Sequence, residues 1–108
     1  MKKNKFSKNW IIKQKRDLYV KKSKLEGYRS RAVYKLEEIN DKFKIIKNNI
    51  LVVDLGAAPG SWSQYISRNF KNSKIISIDL KDIEPIKNVT HIIGDFTDEN
   101  EKLKIQNY

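Results

Sequence analysis

The stretch VVDLGAAPGSW, residues 52–62, decides the fold of this chain. It begins within an apolar run rich in β-branched residues, 50–53, which predicts a short strand buried on both faces of a parallel sheet. Gly56 permits a tight turn, and Gly60 lets a ligand approach the backbone closely. A helix is then predicted over residues 61–69. A loop between such a strand and helix lies at the carboxyl edge of the sheet, where open α/β sheets bind ligands.

Two further strands follow this helix. Residues 74–78 predict the second strand, which ends at Asp79, and residues 89–93 predict the third. The connection between them, residues 81–88, is predicted to be irregular. A further helix is predicted to open at Asp98.

The order of these elements predicts the fold class. Strands that alternate with helices or long connections are typical of an α/β protein with a Rossmann-like parallel sheet. Because parallel crossovers are almost always right-handed, the three strands are expected in the order 3-2-1. The first strand would be central in a complete fold of this kind, yet its other edge has no predicted partner here. An exposed edge of that kind favours aggregation.

Basic helices are predicted ahead of the sheet. Residues 1–8 predict a basic flexible tail, and residues 9–26 contain no Pro or Gly and predict one helix that stops at Gly27. Ser30 is predicted to cap a second helix that runs to about Lys42. The apolar positions of this second helix recur at helical spacing and are Ala32, Leu36, Ile39 and Phe43.

The charge is concentrated in the first half of the chain. Residues 1–49 hold 16 Lys or Arg and 5 Asp or Glu, whereas residues 50–108 hold 7 and 8. This asymmetry favours a polyanionic partner for the first half, and nucleic acid is the commonest one. An AT-rich genome, whose codons favour Lys, Asn and Ile, is the alternative explanation, but it does not readily explain the nearly neutral second half.

Composition excludes several classes of protein. The chain contains no cysteine, which rules out disulfides and zinc–thiolate sites. No apolar run reaches the roughly 20 residues of a membrane span, and no apolar signal-peptide core follows the basic start. These features predict a cytoplasmic protein that does not enter a membrane.

The glycine loop favours a ligand without phosphates. Gly56 and Gly60 are four residues apart, which is not the G-x-G-x-x-G spacing of dinucleotide sites, and no Gly-Lys-Ser/Thr follows as in a P-loop. Asp79 lies 23 residues beyond Gly56, where a carboxylate can accept the two hydroxyls of an adenosine ribose. Asp95 ends the third strand and is placed to meet the adenine edge. The alternative is that Asp54, Asp79 and Asp95 simply cap strands and start turns.

These residues also carry a family resemblance. Residues 54–65, DLGAAPGSWSQY, resemble the cofactor loop of the FtsJ-like heat-shock methyltransferases, and residues 27–36, GYRSRAVYKL, resemble that family's upstream basic signature. Asp79-Leu80, Pro85 and residues 94–96 match in order and spacing. The resemblance covers about residues 9–100. It implies an S-adenosylmethionine-dependent methyltransferase fold, truncated to about three parallel strands preceded by basic helices. Residues 9–49 would be the RNA-facing segment and residues 50–108 the cofactor-binding part of one domain.

The resemblance also assigns site residues. It implies that S-adenosylmethionine contacts Gly60, Trp62, Asp79 and Asp95, and that Lys35 is the first member of a Lys-Asp-Lys-Glu catalytic set. As an ammonium, such a lysine stabilises negative charge that develops on a ribose oxygen, and as a neutral amine it accepts the proton. Among the basic residues, Arg29 and Arg31 are predicted to follow RNA phosphates. Ser61 departs from the family's usual second Gly, which matters only if the backbone there needs a positive φ.

The resemblance implies transfer of a methyl group to a ribose 2′-hydroxyl, that of a uridine, in large-subunit ribosomal RNA. The partner would be that RNA or the ribosomal particle, with no metal, and a full-length protein would act as a monomer. The family's catalytic Asp, second Lys and Glu lie further along the chain and have no counterpart in these 108 residues. We therefore expect a truncated chain that does not turn over alone. A non-catalytic basic RNA-binding module or remnant remains an alternative, and an NAD-dependent oxidoreductase is disfavoured by the glycine spacing.

Several aromatic side chains and the one histidine are predicted to be structural. Tyr28 and Tyr34 are expected to pack rather than to stack on bases, and Trp10 is expected in the core. His91 lies in a strand pattern without companion ligands, so we expect it to pack there rather than to bind a metal.

Overall fold

A computed structural model of the chain describes residues 5–106. Three strands and four helices follow one another as α1 (Lys5–Glu26), α2 (Val33–Phe43), β1 (Leu51–Leu55), α3 (Ser61–Asn69), β2 (Lys74–Asp79), β3 (Val89–Ile93) and α4 (Glu99–Gln106). The predicted bounds of α3 and β3 are confirmed, and β2 extends by one residue to include Asp79.

The three strands form one parallel sheet in the order β1-β2-β3, which confirms the predicted Rossmann-like α/β arrangement. Val53 of β1 pairs with Ile76 of β2, and Ile76 pairs with Thr90 of β3. The central strand is the buried one, since Ile75, Ile76, Ser77 and Ile78 are all buried. All three strands run the same way, so their carboxyl ends lie at one edge of the sheet.

Helices α2 and α3 cover one face of this sheet. The core between them and β2 is formed by Val33, Tyr34, Leu36, Tyr65, Ile66 and Ile75. Residues 70 and 71 then lead the chain out of α3 toward β2. Burial of apolar surface gains roughly 25 cal/mol per Å², so this cluster helps to hold the helices on the sheet.

Tyr34 attaches α1 to the rest of the molecule. This residue is buried, and its hydroxyl donates a hydrogen bond to Glu26 Oε1 over 2.8 Å. Its ring is stacked against that of Tyr19, with centroids 5.4 Å apart, and meets Tyr28 edge-on. The prediction that Tyr34 packs in the core is therefore confirmed, and Tyr28 is half-buried beside it.

The first helix differs from its prediction at its start. It begins at Lys5 rather than near Asn9, so only residues 1–4 of the predicted tail lie outside the described residues, and residues 5–8 are helical. The prediction for Trp10 is wrong, because 62% of this side chain is exposed. The turns of α1 around it have no described neighbour that covers the indole.

The second helix begins later than predicted. Its N-cap residue is Ala32, without a capping side chain, while Ser30 Oγ accepts a hydrogen bond from the Ala32 amide over 3.2 Å in the preceding turn. Its buried face runs through Val33, Tyr34, Leu36 and Asn40. Ala32 and Phe43, both predicted to be apolar contacts, are exposed, since this face is rotated from the predicted one. The predicted opening of α4 is confirmed, because Asp98 Oδ1 accepts the amides of Asn100 and Glu101.

The first strand is not buried on both faces as predicted. Leu51, Val53 and Leu55 all point to one face and are 62%, 46% and 52% exposed. Within residues 5–106, no helix covers that face beside β1 and no strand pairs with its outer edge. An apolar run shows that a strand prefers burial, but not whether the chain at hand supplies the covering element.

Candidate functional site

The glycine loop joins β1 to α3 at the carboxyl edge of the sheet. The amides of Gly56 and Ala57 both donate to the Ile78 carbonyl, over 2.8 and 3.1 Å, which fixes the loop against the end of β2. Gly56 has a φ of 68° and Gly60 a φ of 111°, and the Ala58–Pro59 peptide bond is cis. Both glycines therefore occupy backbone conformations that residues with a Cβ rarely adopt.

The space around Gly60 is tight, in addition to its positive φ. A Cβ there would lie 2.8 Å from Ile86 Cδ1, 3.3 Å from Arg29 Nη1 and 3.4 Å from Ile83 Cδ1. The next residue, Ser61, lies in α3 without a positive φ, so the serine that departs from the family pattern is not strained. Its hydroxyl lies 3.0 Å from that of Ser30.

Asp79 holds the loop from the end of β2. Its Oδ2 accepts the Ala58 amide and its Oδ1 accepts the Lys81 amide, both over 2.9 Å. These two hydrogen bonds lower the pKa of the Asp79 carboxyl below its usual value. Each carboxylate oxygen retains a lone pair for a further donor, so Asp79 can still receive hydroxyl groups from a ligand.

Asp95 lies at the neighbouring strand end. The Gly94 amide donates to the Asp79 carbonyl over 2.9 Å, which ties the end of β3 to that of β2. Asp95 Oδ1 accepts hydrogen bonds from the amide and the hydroxyl of Thr97, and these lower its pKa. Its own amide donates to the Glu101 carboxylate. The structure thus brings Asp79 and Asp95 to adjacent positions along one edge, as the sequence predicted.

Asp54, the third acid at this edge, belongs to the fold instead. It is buried, and the Ser63 hydroxyl of α3 donates to its Oδ2 over 2.7 Å. Burial raises the pKa of the Asp54 carboxyl, although the hydrogen bonds from Ser63 partly oppose that shift.

The opposite pKa shifts of Asp54 and Asp79 predict opposite pH profiles. Because the pKa of Asp79 is lowered by folding, its carboxylate stabilises the fold above the unfolded pKa of about 3.9, and this contribution is lost as the pH falls through the lower folded value. Because the pKa of Asp54 is raised, its contribution is greatest below about pH 3.9 and is lost as the pH rises through the higher folded value.

Urea unfolding between pH 3 and 7 measures this difference. Relative to wild type, Asp79→Asn is expected to lose its stability deficit on acidification, whereas Asp54→Asn is expected to gain in relative stability as the pH rises above about 4. If the relative stabilities of the two variants change with pH in the same direction, the opposite pKa shifts assigned to Asp54 and Asp79 are contradicted.

Arg29 binds the loop rather than solvent. Its guanidinium donates to the backbone carbonyls of Pro59 over 3.0 Å, Glu84 over 2.6 Å and Pro85 over 3.0 Å. These contacts occupy three of its five N–H donors and join the glycine loop to the connection between β2 and β3. These contacts indicate that Arg29 positions the loop, while the prediction that it follows RNA phosphates stays a prediction.

Trp62 connects the loop to the start of α2. Its indole Nε1 donates to the Ala32 carbonyl over 2.8 Å, and the same carbonyl accepts the Lys35 amide over 3.2 Å. The Lys35 and Arg31 side chains are exposed. Neither Lys35 nor Arg31 has a hydrogen bond or ion pair from its side chain to the residues that the structure describes.

Two adjoining pockets bring the glycine loop and Trp62 close to Arg31 and Lys35. The first, of about 220 Å³, is lined by residues of the glycine loop with Asp54, Trp62, Ser30 and Ala32. The second, of about 500 Å³, contains Arg31 and Lys35 and shares Ser30 and Ala32 with the first. A larger pocket of about 690 Å³, around residues 67–74, lies away from this loop. Parallel sheets bind ligands beyond their carboxyl ends, so the two adjoining pockets form the candidate site.

The loop pocket suits the ligand that the sequence predicts. Its lining contains no basic residue, which fits a ligand without phosphates, and Asp54 in that lining is already bound to Ser63. Its volume is below the roughly 300–1,000 Å³ of typical small-molecule sites, so part of such a ligand would lie outside it, toward Asp79 and Asp95. Of the four predicted donor contacts, Trp62 lines this pocket, whereas Gly60, Asp79 and Asp95 are not among its lining residues. Asp79 is joined to the lining through the Ala58 amide.

The structure shows no metal site within residues 5–106, where no group of three or more His, Cys, Asp or Glu side chains is placed to bind an ion. His91 packs as predicted, because Nδ1 lies 2.7 Å from the Ser77 hydroxyl and Nε2 lies 3.0 Å from the Lys81 carbonyl.

Two supporting residues escaped sequence reasoning. Gln64 Oε1 accepts the Arg29 amide over 2.9 Å, and Arg68 donates to the carbonyls of Glu26 and Gly27 over 2.9 and 2.8 Å. Both bring α3 to the segment before α2. Such pairs are far apart in the sequence, and the local pattern carried no signal for them.

Comparison with known proteins gives consistent matches. The model of the family described as FtsJ-like methyltransferase matches residues 28–108. Proteins named "Ribosomal RNA large subunit methyltransferase E" are 61% identical over 106 residues in Pelagibacter ubique, which covers 98% of this chain and 52% of the relative, and 54% identical over 107 residues in Rickettsia felis, which covers 93% and 47%. A crystal structure described as a ribosomal RNA methyltransferase from Plasmodium falciparum is 40% identical, with a TM-score of 0.65, over 74% of this chain and 48% of that one.

The chain spans about half the length of the curated relatives that it matches. The matched region contains the glycine loop, Asp79 and Asp95 as well as Arg29, Arg31 and Lys35. The family match and the geometry of the loop agree, and the chain belongs to the FtsJ-like methyltransferase family.

Proposed function

We propose that this chain provides the methyl-donor site and part of the RNA-binding surface of a ribosomal RNA methyltransferase. The donor is S-adenosylmethionine, and the substrate is a ribose 2′-hydroxyl of large-subunit ribosomal RNA. The names of the relatives support large-subunit ribosomal RNA as the substrate, and the ribose 2′-hydroxyl is what the family resemblance implies. The observation that carries the proposal is the Asp79 carboxylate at the end of β2, which accepts the Ala58 amide of the glycine loop over 2.9 Å and keeps lone pairs for a ligand. Ala58 itself lines the loop pocket, whose lining contains no basic residue.

Each part of the site has a role in this reaction. The bound donor supplies an electrophilic methyl group on a sulfonium. Asp79 receives the ribose hydroxyls of the donor, Asp95 meets its adenine, and Gly60 and Trp62 shape the loop around it. Lys35 projects from the first turn of α2 beside the shared wall of the two pockets. There its ammonium stabilises negative charge that develops on the attacking ribose oxygen, and Arg31 binds an adjacent phosphate.

The names of the same relatives support ribosomal RNA or the ribosomal particle as the partner. We further propose that the protein works in the cytoplasm and that the full-length protein acts as a monomer. None of the helices described in residues 5–106 is long and apolar enough to cross a membrane.

A substitution at Asp79 tests the donor site. We expect Asp79→Asn to weaken S-adenosylmethionine binding by about tenfold, or about 1.4 kcal/mol. The substitution removes the negative charge and turns an NH2 donor toward one of the two amides that the carboxylate accepts, those of Ala58 and Lys81. Isothermal titration calorimetry on the 108-residue chain measures the dissociation constant. RNA binding is expected to stay unchanged.

Asp82→Asn is the matched control, because this exposed acid lies three residues away and only accepts the neighbouring Ile83 amide. Its donor affinity is expected to equal that of the wild type. Two outcomes would show that Asp79 does not contact the donor: equal losses of S-adenosylmethionine affinity in Asp79→Asn and Asp82→Asn, or an unchanged affinity in Asp79→Ala.

A second candidate function is RNA binding without turnover. The concentration of basic residues in residues 1–49 favours it. RNA binding that weakens with salt, together with no affinity for S-adenosylmethionine, distinguishes this function from the first.

A further inference from the structure

A groove between α1 and α2 lies next to the proposed donor site. Its volume is about 500 Å³, and it is lined by Tyr19 of α1 and by Arg31, Tyr34, Lys35 and Glu38 at and within α2. Ser30 and Ala32 separate it from the loop pocket and belong to the lining of both. A ligand that fills the groove would therefore meet Lys35 and approach the donor loop.

Tyr19 lines the groove with an aromatic ring that is free to stack on a ligand. One side of its ring is stacked on Tyr34, with centroids 5.4 Å apart and planes inclined by 28°, which fixes the orientation of the ring. Even so, 46% of Tyr19 is exposed. A ring that is held by its neighbour and still open to the groove is prepared to stack with little loss of side-chain entropy.

The other tyrosines of this region are already engaged. Tyr34 is buried, and its hydroxyl donates to Glu26. Tyr28 is half-buried, meets Tyr34 edge-on, and has the Arg68 guanidinium 4.5 Å from its ring centroid. Tyr19 is therefore the tyrosine at this groove that can accept another ring.

The charges of the groove select the class of ligand. Arg31 and Lys35 contribute two cations whose side chains have no partner among the described residues. Glu38 is exposed and supplies an acceptor for the N–H groups of a base. Aromatic rings for the bases and cations for the phosphates are the elements with which proteins bind single-stranded RNA.

We propose that this groove binds one nucleotide of the RNA, with its base stacked on Tyr19 and its phosphate beside Arg31. The ribose of that nucleotide, or of the next one, then lies toward Lys35 and the donor loop. This inference rests on the proposed function, because it takes RNA as the partner.

The first experiment compares RNA affinity among variants. Tyr19→Leu keeps an apolar contact for Tyr34 but removes the stacking ring, and we expect it to weaken binding of a single-stranded uridine-rich RNA by about tenfold in fluorescence anisotropy. Tyr19→Phe is expected to bind within about twofold of wild type, since it retains the ring. Trp10→Ala is the matched control, because it removes an exposed aromatic ring from the same helix outside the groove.

A second experiment does not depend on how the variants fold. The same RNA carrying 5-iodouridine is irradiated with the wild-type chain, and the cross-linked peptide is identified by mass spectrometry. We expect the cross-link at Tyr19.

The outcomes separate this proposal from the proposed function. A wild-type chain that binds neither RNA nor S-adenosylmethionine contradicts the proposed function itself. If the wild type binds RNA but Tyr19→Leu and Trp10→Ala weaken it equally, or if the cross-link falls outside the groove, the nucleotide site is overturned while the proposed function stands. RNA binding that is lost in Tyr19→Leu together with donor binding indicates a packing defect, and the cross-link then decides.

Discussion

Replacing Gly60 with alanine is expected to lower the free energy of unfolding by about 2 kcal/mol and to weaken S-adenosylmethionine binding by roughly 30-fold. The φ of 111° strains any residue with a Cβ. The new methyl group would also lie 2.8 Å from Ile86 Cδ1. To accommodate it, the ends of the Ile86, Ile83 and Arg29 side chains must shift. A shift of the Arg29 guanidinium disturbs its hydrogen bonds to the loop and to the connection between β2 and β3. Urea unfolding and calorimetry measure the two effects.

Gly56→Ala is the control for this prediction. Its φ of 68° is also left-handed, but no atom outside its chain neighbours lies within 4 Å of the added Cβ. It is expected to lose about 1 kcal/mol of stability and little donor affinity. The double variant Gly60→Ala/Ile86→Val removes the nearest methyl group and should recover part of the donor affinity. If Gly56→Ala impairs donor binding as strongly as Gly60→Ala, close packing at Gly60 is not the cause.

Arg29→Ala is expected to have the second large effect, a loss of about 2 kcal/mol in donor binding, or roughly 30-fold. The substitution removes three hydrogen bonds from one cation to the carbonyls of Pro59, Glu84 and Pro85. Without them the glycine loop and the connection between β2 and β3 are no longer joined on that side. Calorimetric titration with S-adenosylmethionine measures the loss of donor affinity. Titration of a fluorescent RNA measures the RNA affinity of the same variant.

Arg31→Ala provides the contrast, because it changes the same residue type two positions later. Arg31 is exposed and has no side-chain partner among the described residues. The Arg31→Ala variant is expected to bind the donor as the wild type does and to bind RNA more weakly. The salt dependence of its RNA binding is expected to fall by about one phosphate contact. Arg29→Lys should recover little of the donor affinity that Arg29→Ala loses, because an ammonium does not reproduce the planar fork of a guanidinium. If Arg29→Ala instead lowers RNA affinity and leaves donor affinity unchanged, the result supports the prediction that Arg29 binds RNA phosphates.

The sequence predicted the elements whose signals are local. The bounds of α3 and β3 were correct, since the glycine loop and the β-branched runs define them within a few residues. The positions of Asp79 and Asp95 at one edge also followed, because parallel strands place their carboxyl ends together. Lys35 and Arg31 lie beside the loop, although their chemical roles remain proposals.

Contacts between distant segments were beyond prediction. A basic residue in a basic segment is usually solvated, and only the fold shows that Arg29 meets carbonyl groups 30 and 55 residues away. The exposure of Leu51, Val53 and Leu55 and of Trp10 has the same origin, because burial depends on which covering elements are present. Ala32 lies in the turn at residues 30–32, which the cap prediction takes as helix, so it does not belong to the buried face of α2.

The Ala32 carbonyl accepts hydrogen bonds from both the Trp62 indole and the Lys35 amide. The side of the site that would face RNA and the side that would face the donor therefore share one peptide group and cannot shift independently. If the donor tightens RNA binding through this peptide, thermodynamic linkage requires RNA to tighten donor binding by the same factor. A single carbonyl would then make the two substrates mutual effectors, favouring the ternary complex over either binary one.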